Sequence, residues 1–167
     1  GMRRGFTAAK AQLEALDPKT VGQVFTTTGI TLMSTMGGAS GAVMGMLYQS
    51  GGMALGDADS LDAAGLSTFM TAALNGVTNL GGAKPGDKTM VDALAAAQEA
   101  AAASTDLSIS DAMKAVAAGA TAGMEATEAM IATMGRAKTL GERSIGHPDP
   151  GAVSVSIMFN TASAYVG

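Results

Sequence analysis

Apolar positions along the chain recur at helical spacing. Phe6, Ala9, Leu13 and Leu16 lie three or four residues apart, the period of a helix with one buried face. The same pattern, punctuated by clusters of glycine, proline and aspartate, predicts seven helices: about 3–16, 20–36, from just after Gly41 to 55, 61–80, 89–103, 109–135, and a last one ending near Tyr165. The breakers are "DPKT", "GGASG", "GDADS", "GGAKPGDK", "STDLS" and the long "RAKTLGERSIGHPDPG". Two starts carry explicit signals. Ser108 with Asp111 three residues on resembles a capping box, and in "DPG" Asp149 can cap while Pro150 takes the first helical position.

Short connections force antiparallel neighbours, so the expected fold is an all-α, antiparallel up-and-down bundle or barrel in a single domain over residues 1–167. In that topology "GGASG", "GGAKPGDK" and the long loop share the end that holds Met2, and "DPKT", "GDADS" and "STDLS" share the other. Charge sorts the same way. Arg3, Arg4, Lys84, Lys88, Arg136, Lys138 and Arg143 fall at the first end, and Glu14, Asp17, Asp57, Asp59, Asp62, Glu99, Asp106 and Asp111 at the second. Such a field steers an anion to the basic end.

Composition supports helices and narrows the partners. Residues are 47% hydrophobic but 4% aromatic, so the apolar mass is Ala, Met, Leu and Val, suited to close helix packing. A net charge of −4 with no basic run argues against nucleic acid. The 37 residues from Thr20 to Gly56 carry no charge, yet polar residues and glycines interrupt every window of membrane-spanning length, so no membrane span is expected. Cysteine is absent and no signal peptide is visible, which fits the cytoplasm. Gly1 before Met2 reads as a tag remnant.

At the basic end, glycines that open helices let backbone N–H groups approach phosphate, with Ser40 adding a hydroxyl and Arg136 and Lys88 adding charge. Each glycine-rich turn alone is explained as a helix cap; their convergence on one end favours ligand binding. His147, the single histidine, reads better as a loop residue ordering its neighbours through its ring nitrogens than as an acid or base. Asp87 and Asp149 sit where caps are expected, and the thirteen methionines read as core filler, with Met90 the exception to watch. No Ser/His/Asp arrangement and no histidine pair for zinc occurs, so no catalytic or metal residue is assigned. "GDADS" looks like a carboxylate metal turn, but the topology places it at the acidic end, where Asp59 or Ser60 would cap a helix from Leu61.

"TLMSTMGGASGAVMG", "GGAKPGDKTMVDAL" and "GRAKTLGERSIGHPDPGAVS" resemble, in order and separation, the nucleotide-binding L subunit, or Dak2 domain, of bacterial dihydroxyacetone kinases. The resemblance implies a barrel of eight antiparallel helices with ADP or ATP at one end. It implies nucleotide contacts from Ala39, Ser40, Gly81, Met90, Arg136, Asp149, Pro150 and Gly151, with Arg136 on phosphate and Met90 on the adenine side. It further implies phosphoryl transfer to dihydroxyacetone held on a separate K-type subunit, using ATP directly or recycling bound ADP through a phosphotransferase-system partner. The family's Asp-rich loop of the form D-x4-D-x-D-H-G, which binds two Mg²⁺, would precede "MRRGF" and is not in this sequence. About seven helices of eight are therefore expected, with impaired transfer and an apolar groove that a second copy covers in a homo-oligomer. An upstream start or a natural degenerate paralogue would each explain this. A different-class alternative is a noncatalytic partner of a transcriptional regulator or K-type subunit.

Overall fold

Seven α-helices form and no strand: α1 Met2–Leu16, α2 Val21–Met36, α3 Gly38–Leu55, α4 Ala63–Gly81, α5 Met90–Ala102, α6 Ile109–Ala126 and α7 Pro150–Val166. The structure, a computed structural model, describes all residues, Gly1–Gly167. It divides into two compact units, Gly1–Gly81 and Gly82–Gly167. No helix is long and apolar enough to cross a membrane.

In the first unit α1 to α4 run antiparallel in sequence order. Gly5 of α1 lies against Leu32 and Met36 near the end of α2, and Gly76 of α4 against Met46 and Ser50 of α3. Between α2 and α3 the backbones themselves touch. Gly22 and Gly29 are seven residues apart on α2, and Gly45 and Gly52 seven apart on α3; two turns return each pair to one face. A Cβ on Gly29 would stand 2.6 Å from the Gly45 carbonyl oxygen, and one on Gly52 2.8 Å from that of Gly22, so only glycine permits this seam.

The threonines that lower helix propensity in α2 are accommodated locally. Thr26, Thr28, Thr31 and Thr35 each donate a hydroxyl to the carbonyl four residues back, at 2.6–2.8 Å, so their burial leaves no orphan donor. Phe6, Phe25, Tyr48 and Phe69, one from each helix, form a ring cluster with centroids 4.6–6.3 Å apart. Burial there pushes the Tyr48 phenol well above its ordinary pKa. Leu32, Leu47 and Met70 complete this core.

In the second unit α6 runs antiparallel to both α5 and α7, which are parallel to each other. A Cβ on Gly119 would meet the Ala96 carbonyl at 2.6 Å and one on Gly123 that of Asp92 at 2.6 Å, while Thr121 of α6 and Ser156 of α7 share a 3.0 Å hydroxyl contact. Leu94, Val116, Val155 and a set of fully buried alanines fill the core.

Three sequence expectations are corrected. α6 stops at Ala126, nine residues before the expected end at Gly135, and a 3-10 turn covers Thr127–Ala129. Beyond it the carbonyls of Thr127 and Met130 accept from the Lys88 ammonium and that of Glu128 from the Gly146 N–H, and the Met130 N–H closes a 3-10 turn on the Thr127 carbonyl in place of another α-helical bond. The loop expected after Gly135 instead contains a 3-10 stretch, Arg136–Ser144, broken at Gly141. Finally, α4 begins at Ala63, and its cap is Asp62, whose carboxylate accepts from Gly65 N–H at 2.7 Å; neither Asp59 nor Ser60 serves.

Candidate functional site

In the first unit the open feature is the start of α3. Gly37 and Gly38 both take left-handed φ, 69° and 63°, a geometry glycine adopts without strain. No side chain caps the helix, and Ala39 and Ser40 are exposed in its first turn. First-turn N–H groups lack intrahelical acceptors and carry the positive end of the helix dipole, so this turn presents donors to an anion. The antiparallel α3–α4 register brings Gly81, the exposed last residue of α4, to the same end. Arg4 does not join them freely, because its guanidinium caps α2 through the carbonyls of Thr35 and Met36 at 2.9 and 3.0 Å.

In the second unit the parallel starts of α5 and α7 lie side by side. A Cβ on Gly151 would come 3.2 Å from the Met90 Cβ and 2.8 Å from the Asp149 carboxylate, so a side chain there has no room. α5 opens with a full capping box, Thr89 accepting from its first turn and Asp92 accepting from Thr89 N–H at 2.8 Å. α7 opens as expected, with Asp149 accepting from Ala152 N–H at 2.8 Å and Pro150 in the first position. The "DPG" turn is therefore no empty phosphate cradle, because its own carboxylate occupies the helix end. Burial raises the Asp149 pKa above its ordinary value; the Ala152 and Gly151 N–H groups oppose that, Asp92 adds to it, and Lys88 opposes it.

Lys88 is not a phosphate ligand. It is buried, with a left-handed φ of 57°, and its ammonium donates to the carbonyls of Thr127 at 2.7 Å, Met130 at 3.1 Å and His147 at 2.7 Å. His147 contributes that carbonyl, and its side chain is exposed. Arg136 stands exposed at the head of the 3-10 stretch and takes part in none of the three ion pairs of the chain. Asp87 caps a turn and not α5: it accepts from Lys84 N–H at 2.8 Å and the Thr133 hydroxyl at 2.7 Å, and these bonds, Thr133 first, hold its pKa below the usual range. Of the expected contacts, then, Ala39, Ser40 and Gly81 share one end of the first unit, and Met90, Asp149, Pro150 and Gly151 meet in the second.

Magnesium, which the resemblance implies, finds no carboxylate cage: nowhere do three His, Asp or Glu side chains converge.

The DAK2 domain family matches residues 1–164. The chain belongs to the Dak2 family. It is 39% identical over 159 residues to the Escherichia coli "PEP-dependent dihydroxyacetone kinase, ADP-binding subunit DhaL", a match covering 94% of this chain and 76% of that one. With the Listeria innocua "PEP-dependent dihydroxyacetone kinase 1, ADP-binding subunit DhaL" the identity is 36% over 159 residues, 95% of this chain and 75% of that one. The crystal structure of the native dihydroxyacetone kinase of C. freundii superimposes with a TM-score of 0.63 at 25% identity. That match covers 96% of this Dak2 chain and 28% of the C. freundii chain, so the chain spans little more than a quarter of that kinase.

Proposed function

We propose that this Dak2 chain is the ADP- or ATP-binding subunit of a dihydroxyacetone kinase-type phosphotransferase, working in the cytoplasm with a K-type subunit that holds the acceptor. The observation that carries the reading is the uncapped, exposed first turn of α3 at Gly37–Ser40, in a chain 39% identical to an ADP-binding subunit. Its N–H groups and the Ser40 hydroxyl suit phosphate oxygens. In the second unit, the resemblance gives Arg136 the phosphate role, which suits an exposed guanidinium outside every ion pair. The resemblance puts Met90 on the adenine side, and Pro150 and Gly151 open α7 next to it. Asp149 is an acceptor for nucleoside hydroxyl or amino donors, and Gly81 leaves open space at its helix end.

With the acceptor held elsewhere, this chain needs no nucleophile, and its work is orientation and charge neutralisation. Whether bound ADP is recharged by a phosphotransferase-system donor or replaced by ATP, the binding task is the same. A second reading is a noncatalytic homologue that binds a K-type subunit or a transcriptional regulator. We also propose self-association through the groove of about 580 Å³ along α1 and α2, where Leu16 and Ile30 are exposed. Light scattering that shows a stable monomer would refute that part.

Calorimetry tests the main reading. Saturable ADP binding is expected, and Arg136→Ala should weaken it at least tenfold while leaving adenosine affinity nearly unchanged. No ADP binding by the unaltered chain would overturn it. Tight binding only with Mg²⁺ would show that a metal site exists which the carboxylates described above do not explain.

A further inference from the structure

We infer that Lys88 is a positioning residue whose buried ammonium locks the Asp149–Gly151 turn against Met90. An ammonium has three N–H donors and no acceptor. Here it has three acceptors, the carbonyls of Thr127, Met130 and His147, at 2.7–3.1 Å. Lys88 lies two residues before Met90, and His147 two residues before Asp149, so one cation joins the chain segments that open α5 and α7. The third segment, at the end of α6, is tied to the same point: the Thr127 hydroxyl, fully buried, accepts from Asp149 N–H at 2.9 Å and donates to the Met124 carbonyl at 2.6 Å.

A lysine alkyl chain in a left-handed backbone position is an unusual way to fill a turn. Its presence is explained by what the ammonium gathers. Three carbonyls from the two ends of the α6–α7 connection converge on one point, where the cation satisfies them. Without it they repel, and the loop before α7 has lost its anchor to the start of α5. The consequence falls on the seam between Gly151 and Met90, which is so close that a Cβ added to Gly151 would stand 3.2 Å from the Met90 Cβ.

This inference rests on the nucleotide-binding reading for its functional consequence, but not for its structural one. Lys88→Gly removes the side chain and suits the φ of 57°; n-butylammonium then reproduces the missing chain. Two measurements follow. Amide exchange should show Asp149 N–H losing protection at least tenfold in Lys88→Gly, recovering with n-butylamine hydrochloride and not with n-butanol, while circular dichroism stays helical. ADP affinity should fall at least tenfold and recover with the same amine.

Unchanged Asp149 protection in the variant would overturn the inference, and so would equal rescue by butanol. If the unaltered chain fails to bind ADP, the nucleotide reading falls and the exchange measurement still decides the role of Lys88. If Lys88→Gly does not fold, the Nζ protons of the unaltered protein decide it: slow exchange with solvent and through-bond couplings to the three carbonyls are expected, and rapid exchange overturns the inference.

Discussion

At the scale of single residues, Asp149 carries two roles that pull against each other. It caps α7, which needs a carboxylate or amide oxygen, and it is half-buried near Asp92, which raises its pKa from 3.8. A carboxyl whose folded pKa lies above its unfolded one binds protons more tightly when folded. Its contribution to stability is therefore full below pH 3.8 and is lost as pH rises through the raised value. Asn keeps the cap without the charge, so Asp149→Asn should match or exceed the stability of the parent at pH 7 and lose this segment of the pH dependence. Urea titrations at a series of pH values check it; a clear loss of stability at pH 7 would mean the charge itself is needed. Lys88 shows the opposite lesson. A lysine in a glycine-rich loop reads as an exposed phosphate ligand, and only the meeting of three loop segments turns it inward.

The decisive element pair is α2 with α3. A Cβ added to Gly45 would meet the Met33 side chain and also backbone, 2.7 Å from the Gly29 carbonyl oxygen and 3.0 Å from the Met33 nitrogen. Backbone cannot step aside as a side chain can, so Gly45→Ala should destabilise by ~1–3 kcal/mol, read from the denaturant midpoint. An unaltered midpoint would mean that the seam is loose. At the start of α4, Asp62→Ala should cost about 1 kcal/mol as a lost N-cap. Asp57→Asn with Asp59→Asn should leave ADP affinity unchanged, because "GDADS" packs by the start of α2, where Val21 N–H donates to the Ala58 carbonyl at 2.9 Å. That is one length of α3 from Ala39 and Ser40, roughly 25 Å at about 1.5 Å per residue. A large loss of affinity would overturn this placement.

For the whole molecule, the division at Gly81–Gly82 has a direct consequence. The second unit closes its own core around Leu94, Val116 and Val155 and makes the Lys88 cage from its own residues. A fragment of residues 82–167 should therefore be helical by circular dichroism and melt cooperatively. A featureless, unfolded spectrum would show that its core depends on residues 1–81. Nothing in the hydrophobic pattern marks this division, since "GGAKPGDK" looks like every other glycine-rich connection.

Much of the fold was legible because helix starts and stops are local physics. Thr20, Ser108, Asp149 with Pro150, and the glycine clusters act on their own neighbours, so the all-α class and most helix bounds follow from the order of residues. The family was legible too, in three long motifs. What the sequence did not determine were features whose cause is distant in the chain. α6 ends at Ala126, and the carbonyls just beyond it, of Thr127, Glu128 and Met130, accept from Lys88 and Gly146, which are distant in the chain. The glycine seam of α2 and α3 had a visible signal, paired glycines seven apart on successive helices, but its meaning depends on the two helices touching. The Lys88 cage had no local signal at all, because a charge is buried only where other segments supply its acceptors.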